Sequence, residues 1–139
     1  MSSATSNIRS ALAKAFVDGA FFTSDKIAWE NVAFTPPSAT AWAKFTYVPS
    51  EPSAATLGTN GHDEVTGFVQ IDLNFPDGLG DKPASDKYEA IRSLFKIGSR
   101  FTYGGYTVSV QSCGRSQGRN VDGYYRVAVT VFFNSRIQR

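Results

Sequence analysis

The chain has 139 residues, 42% of them hydrophobic, which suits one domain with a sizeable core. No run approaches the ~20 apolar residues of a membrane span, no charged start precedes an apolar block as in a signal peptide, and a lone Cys113 excludes an internal disulfide. The net charge of +2 is uneven, because residues 1–95 carry 7 Lys/Arg against 11 Asp/Glu, whereas residues 96–139 carry 7 against 1.

The first segment predicts a helix over residues 2–17, since its apolar residues recur on one side. Asp18-Gly19 favours a helix exit at that point. Phe21 and Phe22 follow, and we expect both to anchor the core.

Residues 27–34 form a short apolar segment that ends at Pro36-Pro37, which force an extended backbone. Residues 40–48 then predict a strand rich in aromatic and β-branched side chains, although both of its faces are partly apolar and neither is marked as the inner one. Residues 49–62 predict a long, turn-rich loop. A loop of this length in a small domain is usually functional or disordered.

Residues 65–75 are the stretch around which the chain is organised. Odd positions are mostly apolar and even positions mostly polar, so the segment predicts a strand with one face on a core. Pro76-Asp77-Gly78 ends it, because proline cannot donate to a ladder and Asp-Gly favours a turn. A polar loop to Pro83 follows.

A second helix is expected after Pro83, over residues 85–97. Tyr88, Ile91 and Phe95 lie on one stripe of such a helix, and Gly98 stands where a left-handed cap is often needed. Strand, loop and helix therefore present two apolar surfaces that can cover each other.

The last part of the chain predicts strands only. Gly104-Gly105 suits a two-residue hairpin turn between residues 100–103 and 106–113. Residues 114–123 read as a polar loop. Residues 124–137 alternate apolar and polar side chains over a long closing strand.

No set of side chains indicates a reaction. The lone His62 lies in a turn-like loop, and Cys113 has no nearby histidine, so each is interpreted as structural or solvated. Residues 78–82 tempt a phosphate-loop interpretation, but the spacing of that motif and of the dinucleotide motif fails at Pro83. No cofactor is predicted.

Four carboxylates lie close in sequence and could bind a hard cation. Their positions on a strand's polar face, in a turn and at a helix start explain them without a metal, so no metal ligand is assigned. They are Asp72, Asp77, Asp81 and Asp86.

The basic C-terminal part mixes arginine with tyrosine around residues 115–126, a combination that nucleic-acid grooves use. A solvated hairpin tip with core tyrosines explains the same residues and is preferred. The charge asymmetry likewise indicates either a nucleic-acid surface or complementary faces between copies of one protein, of which the second needs no special motif.

The sequence resembles the tail terminator, or tail completion, proteins of long-tailed bacteriophages. Residues 31–37, Asn-Val-Ala-Phe-Thr-Pro-Pro, and the strand end at residues 75–80, Phe-Pro-Asp-Gly-Leu-Gly, carry the most specific part of the resemblance. The early helix and the helix before the closing hairpin extend it over nearly the whole chain.

The resemblance implies an α+β fold, with one mostly antiparallel sheet packed by two main helices in a single domain. It implies that six copies form a ring on the head-proximal end of the tail tube, which stops polymerisation, and that no reaction is catalysed. The implied partners are other copies of the chain, the tail tube protein, a head–neck connector or stopper protein, and genomic DNA in the lumen, with no membrane. The implied location is the tail–neck junction of the virion, after synthesis in the bacterial host cytoplasm.

The family supplies no motif-matched contact residues, so the partner-binding prediction rests on loop length and polarity. Residues 49–62, 76–83 and 114–123 are expected to contact neighbouring subunits or the tail. The residues chosen within them are Glu51, Thr59, His62, Asp77, Leu79, Asp81, Arg115 and Arg119.

Three other functions stay open at this point. One is a different head–tail connector or neck adaptor, which is also structural. Another is a nucleic-acid-binding module that uses the basic C-terminal third. An enzyme is the weakest alternative, because no catalytic constellation is present.

Overall fold

The computed structural model describes residues 4–50 and 52–138, with the side chains of residues 4 and 5 left aside. The elements in chain order are α1 (Ala4–Asp18), a 3-10 helix (Ser24–Lys26), β1 (Ile27–Ala28), β2 (Trp42–Pro49), β3 (Ser53–Ala54), β4 (His62–Pro76), α2 (Lys82–Leu94), β5 (Arg100–Tyr103), β6 (Tyr106–Arg115), β7 (Arg119–Val121) and β8 (Tyr124–Gln138).

The strands form one curled sheet in the order β1-β2-β4-β8-β6-β5, with β3 beside β4 and β7 beside β8. The pair β1–β2 is parallel, whereas the other described pairs are antiparallel, so the sheet is mixed. Two helices with this sheet make the protein an α+β structure.

The centre of the sheet is the pair β4–β8. The two strands stay in register from His62 opposite Gln138 to Pro76 opposite Tyr124, over 15 residues each. At ~3.4 Å per residue they extend roughly 50 Å. Both strands follow the alternation expected from the sequence, but β4 begins at His62 rather than at residue 65, because β8 continues to pair with it.

Side chains of both helices and of one side of the sheet share a single hydrophobic cluster. Burying each large side chain of this cluster stabilises the fold by roughly 1.5–3 kcal/mol. The largest fully buried members from the helices are Ile8, Leu12, Phe16 and Ile91, together with Phe95, the C-cap residue of α2. Phe21 and Phe22, expected as core anchors, pack against the cluster but are only partly buried.

Helix boundaries differ slightly from the expectation. α1 is described from Ala4 to Asp18, and the first residues of the predicted helix, 2 and 3, lie outside the described part. α2 begins at Lys82, so Pro83 lies in its first turn. Proline is tolerated there because the first N–H groups of a helix have no intrahelical partner.

Two predicted loops contain strand. Residues 49–62 include β3, which pairs with Asp63 and Glu64, and residues 114–123 include the end of β6 and all of β7. Both short strands form because β4 and β8 are long enough to offer unpaired backbone beside them.

The ambiguity at β2 is resolved by pairing. Ala43, Phe45 and Tyr47 face the hydrophobic cluster, while Lys44 and Thr46 face the other side of the sheet. We call the side opposite the hydrophobic cluster the open face. Its polar side chains are half-buried or exposed along most of β4, β6 and β8.

The outer edge of β2 is protected against strand addition. The Tyr47 N–H donates to Glu30 Oε1 at 2.9 Å, and the same carboxylate oxygen accepts from Arg9 Nε at 3.3 Å. Two residues on, Pro49 has no N–H to offer. A carboxylate and a proline on an edge are devices that block unwanted sheet extension.

Candidate functional site

Two of the predicted contact loops meet at one end of the sheet. Arg115, at the end of β6, donates from Nη2 to Asp81 Oδ1 at 2.9 Å and from Nη1 to Asp81 Oδ2 at 3.2 Å. The Tyr125 hydroxyl donates to Asp81 Oδ1 at 2.6 Å, and the Asn120 amide donates to the Asp77 carboxylate. We call these five residues the loop junction.

Local backbone geometry explains why Asp81 is available for these contacts. It occupies the N-cap position of α2, yet its side chain makes no capping bond. Its carbonyl accepts from the Ser85 N–H at 2.9 Å, while the carboxylate turns toward Arg115 and Tyr125. Gly118 lies so close to the Tyr125 hydroxyl that a Cβ would overlap it.

The charges of the loop junction stabilise each other. Hydrogen bonds from Arg115 and then from Tyr125 lower the pKa of the Asp81 carboxyl, and the same contact raises the pKa of Arg115. The hydrogen bond to Asp81 also raises the pKa of Tyr125. At neutral pH the loop junction therefore contains a charged, bidentate pair of Arg115 and Asp81 beside a neutral Tyr125. Such an arrangement holds two loops together and does not favour proton transfer.

A family model described as phage tail terminator protein matches residues 7–133. The chain belongs to the phage tail terminator family. It is therefore a structural protein of a phage tail.

Solved structures provide a second comparison for this tail terminator. Eleven of their chains match it, and one has a TM-score of 0.74 with 23% sequence identity over 92% of each chain. At that identity the likeness shows a common fold. No curated protein matches the sequence.

Seven of the eight residues predicted to bind partners lie in the described part of the chain, and they divide between the two ends of this terminator's sheet. Asp77, Asp81 and Arg115 come together in the loop junction, and Leu79 lies beside them with 58% of its surface exposed. Arg119 belongs to β7 and lies near the same end, opposite Arg126 on the open face.

Two other predicted residues, Thr59 and His62, lie about the length of β4 away. Thr59 is exposed in the turn before β4, and His62 is the exposed first residue of that strand. Glu51 lies outside the described residues. The predicted surfaces are therefore two separate regions rather than one.

Sequence reasoning missed three members of the loop-junction end. The sequence pattern predicts a solvated tip at Asn120 and a core tyrosine at Tyr125, yet both side chains donate to loop carboxylates. The Tyr124 hydroxyl donates to the Pro37 carbonyl and ties the Thr-Pro-Pro segment to the same end. The two adjacent tyrosines beside a polar loop are the only indication of these contacts in the sequence. Nothing near Asp81 or Pro37 in the sequence indicates that a tyrosine binds there.

The groups considered for catalysis or metal binding have other environments. Burial raises the pKa of the Cys113 thiol to about 11, so the thiol is protonated at neutral pH. Among the residues that the structure describes, no three His, Cys, Asp or Glu side chains are grouped to hold a metal ion. Within the same residues, no helix is long and apolar enough to cross a membrane.

Asp81→Asn should loosen the loop junction at neutral pH and lower the melting temperature. Because the pKa of Asp81 is lowered on folding, its stabilising contribution is complete above the unfolded value of about 4 and is lost as the pH falls through the folded value. The melting-temperature difference between wild type and variant should therefore shrink on acidification from pH 7 to pH 2.5.

Asp86→Asn is the matched control, since its exposed pair with Lys82 at 2.7 Å lies one helical turn along α2. Exposed pairs of this kind contribute little. Equal melting temperatures for the two variants at pH 7 would contradict the structural role of the loop junction.

Proposed function

We propose that six copies of this chain close into a ring on the head-proximal end of the tail tube. The ring stops tube polymerisation and offers the surface to which the neck proteins of the head attach. The observation that carries this proposal, beyond family membership, is the placement of polar loops at both ends of one stiff sheet.

A terminator needs two different axial surfaces, one for the tube and one for the neck. β4 and β8 separate residues 55–61 from the loop junction by roughly 50 Å. Hydrogen bonds across the whole strand pair resist bending, so each loop region keeps its place relative to the other. Loops held on a rigid scaffold are the usual carriers of binding function.

Exposed leucines mark both loop regions. Leu57 is 94% exposed in the turn before β4, and Leu79 is 58% exposed beside the loop junction. Burial of a large apolar side chain against a partner is favourable, because it removes apolar surface from water. We therefore assign Thr59 and His62 to one axial surface, and Asp77, Leu79 and Arg115 to the other.

Lateral contacts in a ring join different patches of the same chain, because a closed ring is built head-to-tail. The edge of β2 is blocked by Glu30, so lateral contact by extension of the sheet there is disfavoured. Side-chain contacts between two other patches of neighbouring copies would join the ring instead.

Leu57→Asp and Leu79→Asp test the two axial surfaces separately. Both side chains are exposed, so each variant should keep the wild-type fold, with a stability change within about 0.5 kcal/mol. Each should lose one attachment, measured by light scattering for ring size and by electron microscopy of tail tubes mixed with protein. Ile97→Asp, at a position 75% exposed just after α2, is the control with the same chemical change.

Normal capping and neck attachment by both leucine variants would contradict the assigned surfaces. Wild-type protein that leaves tube ends uncapped would contradict the proposed function itself. Rings that bind only neck proteins would instead identify a head–tail adaptor.

A further inference from the structure

The open face of the sheet carries an excess of positive charge. Side chains that share this face alternate along each strand, and the register places five basic and two acidic residues on it. The basic residues are Lys44, Arg100, Arg119, Arg126 and Arg136, and the acidic ones are Glu64 and Asp72.

These basic groups have no carboxylate partner among the described residues. Within residues 4–50 and 52–138, ion pairs join Arg9 to Glu30, Lys14 to Asp18, Lys82 to Asp86, Arg92 to Glu89 and Arg115 to Asp81, and none of these pairs uses a basic side chain of the open face. Glu64 lies opposite Arg136 and Asp72 opposite Lys44 in the strand register, so the face keeps an excess of three positive charges, five basic against two acidic residues.

Arg126 is held in position for a ligand. Its Nε donates to Asn74 Oδ1 at 2.8 Å, and Asn74 is completely buried. Asn74 is itself fixed by a hydrogen bond from its amide to the Asp72 carbonyl at 3.2 Å. The arginine plane is thus oriented through Nε, and its terminal nitrogens remain for another acceptor.

Two hollows on the open face are lined by pairs of arginines. One, of about 260 Å³, lies between Arg119 and Arg126, with Gln70 and Ser116 on its wall. The other, of about 400 Å³, lies between Arg100 and Arg136, with Thr107 and Ser109 on its wall. Guanidinium groups beside hydroxyl and amide donors are the usual partners of phosphate oxygens.

An aromatic pair separates the two hollows. Phe68 and Phe132 lie opposite each other on β4 and β8, with ring centroids 5.5 Å apart, and Phe132 is 45% exposed. The hollows lie on the order of 27 Å apart, since eight residues of β8 join Arg126 to Asn134 beside the second hollow. Exposed aromatic rings between cationic sites suit bases that stack while their phosphates bind arginine.

We propose that the open face binds the phosphodiester backbone of a nucleic acid, with the two arginine hollows as phosphate sites. A second copy of the chain fits this face less well, because five carboxylates away from it are already in ion pairs. A nucleic acid carries phosphates along its whole length, so one molecule can reach both hollows, which lie on the order of 27 Å apart. This inference does not depend on ring formation.

Fluorescence anisotropy with a 30-base-pair duplex and a 30-nucleotide single strand, from 50 to 200 mM salt, tests the proposal. The double variant Arg119→Gln/Arg136→Gln removes one exposed arginine from each hollow. The magnitude of the slope of log affinity against log salt should decrease by about 1.8 for the duplex. This corresponds to a loss of affinity on the order of a hundredfold at 50 mM salt. Lys82→Gln/Lys96→Gln makes the same charge change away from the open face and should leave the slope near that of wild type.

A second variant tests the charge from the opposite direction. Asp72 lines the hollow beside Arg119 and Arg126 and accepts from Gln70 Nε2 at 2.9 Å. Asp72→Asn removes a negative charge that opposes phosphate, so it should tighten binding to both probes. Phe132→Ser should weaken binding of the single strand alone if bases stack, and of neither probe if the backbone of a duplex is the ligand.

Equal losses by the arginine and lysine double variants would show a bulk charge effect and overturn the proposal, as would salt-independent binding by the wild type. Loss of rings with unchanged nucleic-acid binding in Arg119→Gln/Arg136→Gln would overturn it too, and would identify the open face as a protein interface. Nucleic-acid binding by a wild-type protein that does not cap tubes would contradict the proposed function alone.

Discussion

Phe45→Ala should lower the free energy of unfolding by about 3–5 kcal/mol, the range for removal of a fully buried ring. Phe45 is completely buried on β2, and its ring lies 5.7 Å from that of Phe16 and 5.4 Å from that of Trp29. The ring thus connects α1, the sheet and the segment after β1. Three separate elements cannot all close in on the space that alanine leaves, so a cavity remains.

Urea denaturation followed by circular dichroism measures this change, and the midpoint should fall while the slope stays constant. Phe132→Ala is the matched control, because it removes the same ring from a position that is 45% exposed on the open face. That variant should lose about 1 kcal/mol or less. Similar midpoints for the two variants would contradict the assignment of the core to the side of the sheet that contains Phe45.

Gly67→Ala should destabilise the protein by about 3 kcal/mol, at the upper end for an overpacked site. A Cβ at this position would overlap the Val48 carbonyl oxygen and would lie 2.8 Å from Pro49 Cα and 3.1 Å from Phe133 Cζ. The first two contacts are with backbone of the neighbouring strand, so no rotation of a side chain can relieve them. The β2 end of the sheet must move away from β4.

Hydrogen exchange should show the same effect locally, with faster exchange at Val48 and at Ser50, whose N–H donates to the Thr66 carbonyl of β4 at 2.9 Å, while β8 keeps most of its protection. Gly114→Ala is the control, since it also changes a strand glycine but meets no atom within 4 Å. Gly114→Ala should change the free energy of unfolding by less than about 1 kcal/mol, with the alanine variant the more stable. Equal destabilisation by the two substitutions would show that glycine flexibility rather than close strand approach is the cause.

Particular elements show how far local pattern reaches in this chain. The alternation in β4 and β8 predicted those strands, and the apolar stripe of Tyr88, Ile91 and Phe95 predicted α2, of which Phe95 is the C-cap, because one buried face gives a periodic pattern. Gly104 and Gly105, with φ of +57° and +85°, form the predicted hairpin turn because both positions need the left-handed region. The resemblance in residues 31–37 and 75–80 indicated the family, which the match over residues 7–133 confirms.

Other features had no local trace. β2 has apolar residues on both faces because Trp42, on the open face, is covered by Phe34 at 5.1 Å and Tyr124 at 5.9 Å, so periodicity could not select its inner side. The bulge between Val110 and Ser112 brings Cys113 against the core, which the simple alternation of β6 does not predict. The short strands β3 and β7 form only because longer strands lie beside them.

The sequence by itself determined the main strands, both helices and the family, since each depends on residues close together in the chain. Tertiary structure alone decided that Asp81 contacts Arg115, 34 residues away, and that five basic side chains share the open face. Contacts between distant segments arise from strand register and the direction of each side chain. Those are set when the whole sheet assembles, and no short window of sequence contains them.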